Sequence, residues 1–144
     1  MPRPLSKEFV ISRDDLIALS EARLREAEVL VRNEEYAGAV YLAGFAVECC
    51  FKAAVCTSLD WNELRGGFKT HDLEGLLVYS GFDRRFRMNK HLVKSLASII
   101  RDWKNGDVRY NPPMSFDRKR AHDFLEWVND PELGVIPWFR SQIG

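Results

Sequence analysis

Residues 34–55, EEYAGAVYLAGFAVECCFKAAV, constrain this chain more than any other stretch: residues 36–47 are uncharged throughout, and Glu48 and Lys52 then follow four apart. The pattern predicts the central helix of the molecule, running from near Glu34 to about Ser58. Its small residues Ala37, Gly38, Ala39, Ala43, Gly44 and Ala46 let neighbouring helices approach closely, because Gly inside a helix costs up to about 1 kcal/mol and needs a packing reason. The run resembles a membrane span only superficially. Each of Glu48 and Lys52 would cost roughly 2.5–3.5 kcal/mol near the centre of a spanning helix, and the uncharged run is too short. We therefore expect a soluble, cytoplasmic protein with no membrane association.

The rest of the chain agrees with that reading. With 144 residues it can bury roughly 70% of its unfolded surface as one domain. Its 21 basic and 21 acidic residues balance, so net charge gives no sign of a nucleic-acid partner and only local clusters can. The start, MPRPLSKEFVISRDD, lacks the apolar stretch of a signal peptide. Cys49, Cys50 and Cys56 lie on the central helix without metal-ligand spacing, so they are expected to be small buried thiols. No metal or cofactor is implied.

No stretch alternates strictly at period two, whereas several repeat at three and four, which predicts an all-α fold. Ser12 or Asp14 caps a first helix with Leu16, Leu19, Leu24, Ala27, Leu30 and Val31 along one side. After a loop marked by Gly66 and Gly67, a short third helix starts at a Thr70 cap and stops at Gly81. A fourth is predicted over residues 82–104 and ends at Gly106. Pro112 and Pro113 then force a loop, a fifth helix spans about 116–129, and residues 134–144 add a last turn with Pro137 at its first position. The expected architecture is an up-and-down bundle of about five helices, with residues 1–13 as an arm, 14–130 as the bundle and 131–144 as a short helix or tail of the same domain.

Several polar residues exceed what such a bundle needs. Glu48 and Lys52 have the spacing and order of a favourable helix pair, either on a solvent-facing stripe or lining a polar pocket or subunit contact. His71 and Asp72 stand at the start of the third helix, where an acid suits the helix dipole. Arg109 and Tyr110 precede the prolines, and a guanidinium held there suits a phosphate, a carboxylate ligand, or a brace to Glu48 or Asp72.

Taken in order, YAGAVYLAGFAVECCFKAAV, THDLEGLL and VRYNPP resemble the HEPN family, helical bundles named for higher eukaryote and prokaryote nucleotide binding. The resemblance covers roughly residues 14–130. It implies a fold like the substrate-binding subunit of nucleotidyltransferases, and a ligand site formed by Glu48, Lys52, His71, Asp72, Arg109 and Tyr110. It also implies a homodimer that binds a nucleotide or RNA, with a minimal nucleotidyltransferase as partner, in a prokaryotic toxin–antitoxin or defence setting. Family members that are ribonucleases carry an Arg and, after four to six residues, a His. Counting on from Arg109 reaches Met114, Ser115 and Phe116, and the next His is His122. The resemblance therefore implies a non-catalytic binding module, with no catalytic residue assigned.

Two alternatives come from the residues themselves. Arg85 and His91 satisfy the ribonuclease spacing well before the late loop, so a metal-independent endoribonuclease with a divergent site is one. A structural interaction protein without a ligand, whose matching residues only brace helices, is the other. Arg84, Arg87, His91, Lys94 and Arg101 recur at helical spacing as a basic stripe, which suits a phosphate backbone or a solvated face. Trp103, Tyr110 and Phe116 are candidates for base stacking, and the small residues of the central helix, with Trp138 and Phe139, are candidates for dimer contacts.

Overall fold

The structure, a computed structural model, describes residues 10–68, 70–105, 110, 112 and 115–144. Seven α-helices make up the described fold: α1 (Arg13–Arg32), α2 (Tyr36–Ser58), α3 (Leu73–Tyr79), α4 (Asp83–Arg87), α5 (Lys90–Ile100), α6 (Arg118–Asn129) and α7 (Val135–Ile143). A 3-10 turn at Gly66–Phe68 and a π-helical extension of α5 at Arg101–Asn105 complete it. The protein is all-α, with no strand among the described residues. One isolated antiparallel bridge joins Ser12 to Glu63.

The uncharged run of α2 places it at the centre. Fifteen of its residues are buried, and α1, α3, α6 and α7 all pack on it, α1 most extensively. By length and composition α2 could cross a membrane, yet 78% of its most apolar stretch is covered by the other helices. Its small residues receive side chains from within the same chain. A Cβ on Gly44 would lie 2.2 Å from the Trp103 ring, and one on Gly38 would lie 3.3 Å from Leu30 Cδ1. Within the chain Gly44 is filled by the Trp103 ring, while Ala37 and Gly38 at the start of the helix stay partly exposed.

α1 begins where Ser12 Oγ accepts the Asp15 N–H at 3.0 Å, the first of the two predicted caps. At its far end Asn33 Nδ2 donates to the Val29 carbonyl, and Glu34 takes a left-handed φ of 62° that turns the chain into α2 without a glycine. At the opposite end Arg13 N–H donates to the Asn62 carbonyl and Leu64 N–H to the Ile11 carbonyl, both at 2.9 Å. Both ends of this helical hairpin are thus tied.

Four expectations need correction. The cap of α3 is Asp72, not Thr70, whose hydroxyl accepts the Asp72 N–H one step earlier. The helix expected over residues 82–104 breaks at Met88 and Asn89, because Asn89 Oδ1 accepts the N–H groups of His91 and Leu92 and starts a new helix there. The C-terminal segment is a nine-residue helix with Pro137 at its third position, where the amide has no intrahelical acceptor to lose. Finally, Phe139 is fully buried and meets the Phe51 ring at 4.5 Å, so it is a core residue and not a dimer contact. Trp138 is half-buried, edge-on to Phe86 and Phe82.

Candidate functional site

Glu48 sits in the middle of α2 with 1% of its surface exposed, and Lys52, one turn on, with 8%. These values exclude a solvent-facing stripe. Lys52 Nζ donates to Glu48 Oε2 at 3.0 Å, and the other carboxylate oxygen lies 2.6 Å from His71 Nδ1. A carboxylate oxygen can only accept, so the His71 tautomer that fits this contact carries its proton on Nδ1 and donates. The His71 side chain is 70% exposed, so its ring spans from a buried anion to solvent.

Local structure explains the meeting. α2 carries Glu48 and Lys52 on one face through their spacing of four. The loop after α2 returns through the Gly66–Phe68 turn, where Phe68 packs edge-on against Trp61 and Tyr79, and this delivers His71 just before the Asp72 cap of α3. On its other flank the pair borders an apolar groove of about 260 Å³ between α1 and α2, lined by Ile11, Leu16, Leu19, Phe45 and Leu64.

The cysteines contribute no nucleophile here. Burial pushes the Cys49 thiol up to about 12, helped by the Glu48 charge and opposed by Lys52 and Arg23. Burial likewise pushes Cys50 up to about 12, and it raises Cys56. No group of three or more His, Cys, Asp or Glu residues among the described ones is placed to hold a metal ion.

The remaining expected site residues divide as follows. Asp72 is exposed at the cap of α3 and Tyr110 is 79% exposed. Arg109 lies outside the described residues. Arg85 donates to Gln142 Oε1 at 2.9 Å and stacks over Phe82, while His91 stands exposed on α5, beyond the break that separates it from α4. All five residues of the basic stripe are exposed, but the break divides them between α4 and α5 with its extension. Arg87 pairs with Asp83 and Arg101 with Asp102. Of the three candidate stacking rings, Trp103 and Phe116 are core residues, and Tyr110 is the exposed one.

Sequence reasoning missed the buried polar residues Ser20, Ser80, Ser95 and Asp102, and the first and last of them join elements. Asp102, 4% exposed in the π-helical turn, accepts from Arg101 at 2.9 Å and from Arg120 at 3.4 Å, and so ties α5 to α6. Ser20 donates to the Ala46 carbonyl at 2.7 Å across the α1–α2 contact. Both lie within amphipathic repeats, where an acid or a serine gives no sign of facing inward.

No protein-family model, no curated protein and no solved structure matches the chain.

Proposed function

We propose that this protein is a non-catalytic binding module of the HEPN type, with the bundle architecture of nucleotidyltransferase substrate-binding subunits, that recognises a nucleotide or RNA. The observation that carries the reading is the 2.6 Å contact between His71 and Glu48, which brings two of the three resembling motifs to one point although 23 residues separate them. The burial of Glu48 and Lys52 supports a division of roles within that site. Both carboxylate oxygens are engaged inside the protein, so Glu48 and Lys52 are positioning residues that fix the His71 ring. Ligand contact then falls to the exposed His71 ring and its neighbour Asp72 and, by the resemblance, to Arg109 and Tyr110. A homodimer and a minimal nucleotidyltransferase partner, acting in the cytoplasm in a toxin–antitoxin or defence setting, belong to the same proposal.

The bracing alternative draws on the same burial and makes a different prediction. Fluorescence anisotropy with a labelled single-stranded RNA, in competition with free nucleotides, should give saturable binding that weakens about tenfold or more in His71→Ala and in Arg109→Ala. A ligand that binds the native state must also raise the melting temperature. No binding by the wild type, with a lowered melting temperature in both variants, overturns the proposal in favour of a brace. The same RNA, end-labelled and incubated in chelator, should remain intact; cleavage that disappears in His91→Ala establishes a ribonuclease instead.

A further inference from the structure

Away from the Glu48 cluster, the fold brings cations together at the α1–α2 turn. At the turn between α1 and α2, beside the start of α6, a depression of about 410 Å³ is bordered by Arg32, Asn33, Glu34, Tyr36, Arg118 and His122. The cations come from distant parts of the chain: Arg32 ends α1, whereas Arg118 and His122 stand one turn apart on the same face of α6.

Most arginines of this protein are engaged. Arg13, Arg23, Arg87, Arg101, Arg120 and Arg140 pair with carboxylates. Arg65 and Arg85 stack on aromatic rings. Arg32 and Arg118 make no ion pair, side-chain hydrogen bond or ring contact among the described residues, yet they converge on one concavity. The nearby acids do not offset them fully. Asp117 is turned to the Arg120 N–H as the cap of α6, and Asp123 pairs with Lys119. Among the residues that line the depression, Arg32 and Arg118 set against Glu34 leave one unit of positive charge before His122 is counted.

We propose that this depression binds a phosphate group. Two guanidinium forks suit the tetrahedral oxygens of a phosphate, and Arg holds such groups with several directed donors where Lys offers a point charge. His122 and Asn33 add N–H donors, and the half-buried Tyr36 supplies a ring and a hydroxyl at the edge. The backbone adds to this arrangement without making it: Tyr36 and Arg118 are the first residues of α2 and α6, whose positive ends favour an anion. Glu34 sets the limit on charge, so a group carrying one or two negative charges fits better than a polyanion. The inference rests on the depression alone and is independent of the site around His71.

The test is a heteronuclear NMR titration of the full chain with inorganic phosphate at constant ionic strength. Saturable shifts should concentrate at Arg32, Asn33, Tyr36, Arg118 and His122. Arg32→Gln and Arg118→Gln, both at exposed positions, should each weaken binding about fivefold or more, and Arg65→Gln, an exposed cation in the loop after α2, should leave it unchanged. Shifts spread over all basic residues without saturation, or binding indifferent to both arginine substitutions, overturn the proposal. Parallel titrations with a nucleoside monophosphate and a short single-stranded RNA identify the source. A strand held here gives the same shifts with the steeper salt dependence, and a free nucleotide gives them with the shallower one. Retention of these shifts in Arg109→Ala separates this site from the one around His71.

Discussion

A carboxylate with 1% of its surface exposed is tolerated only when donors match it, and Glu48 is matched twice. Lys52→Met removes the buried donor and is expected to destabilise the protein by about 3–5 kcal/mol in urea unfolding, since it strands a charge in the core. The double variant Glu48→Leu/Lys52→Met removes charge and counter-charge together and should recover to within about 1 kcal/mol of the wild type. A double variant as unstable as the single one would mean that lost packing, not the stranded charge, is the cause. The pairing of Glu48 with Lys52 was legible in the sequence, because a spacing of four fixes two residues on one helix face. The arrival of His71 was legible only as motif order, because a loop, and no period, closes that distance. The choice between solvent and core was not legible: Val47, Phe51 and Val55 read alike on either, and the outcome depended on how α1, α3 and the Gly66–Phe68 turn cover that face.

At the scale of the element, α2 shows why small residues sit inside a long apolar helix. Alanine normally stabilises a helix interior relative to glycine by roughly 0.5–1 kcal/mol. Gly44→Ala should do the reverse and cost about 1–3 kcal/mol, because its methyl group would meet the Trp103 ring at 2.2–2.3 Å. A thermal melt with a raised midpoint would show that the ring moves aside freely. Element identity followed from periodicity, which placed α1, α2 and α6 to within a few residues. The break at Asn89 leaves no mark in the apolar period, and the side-chain bonds to the N–H groups of His91 and Leu92 reveal the new start. The α1–α2 turn carries no glycine, and its left-handed residue is Glu34, so composition gave no marker there. α7 is longer than the single turn that Pro137 at a first position predicts, because a proline at the third position costs the helix no bond.

For the whole molecule, the buried thiols link stability to pH. Cys49 and Cys50 keep their protons up to about 12 in the native state, against an ordinary value of 9.0. Above pH 9 the unfolded chain therefore loses protons that the native chain retains. Their contribution is fully present below about pH 9 and declines as pH rises towards 12, by about 1 kcal/mol per thiol at pH 10. Urea midpoints at pH 8 and pH 10 should thus fall further in the wild type than in Cys49→Ala/Cys50→Ala. Equal slopes would show that both thiols already titrate near their ordinary value in the folded protein. The all-α class was legible at this scale because no segment offered a strand period. The way α7 closes the core was not, because its rings meet Phe51, Phe82 and Phe86 only once the chain has folded back.

The bridge between Ser12 and Glu63 has a consequence for topology. Residues 11–64 leave a point, travel out along α1, return along α2 and come back to that same point, where backbone hydrogen bonds hold Ile11 to Leu64 and Arg13 to Asn62. This stretch is a closed circuit within an otherwise open chain, and it contains Glu48, Lys52, Arg32 and Tyr36. α3 to α7 pack against this closed ring, so residues supplied by later elements, His71, Arg118 and His122 among them, complete sites whose other half the ring provides.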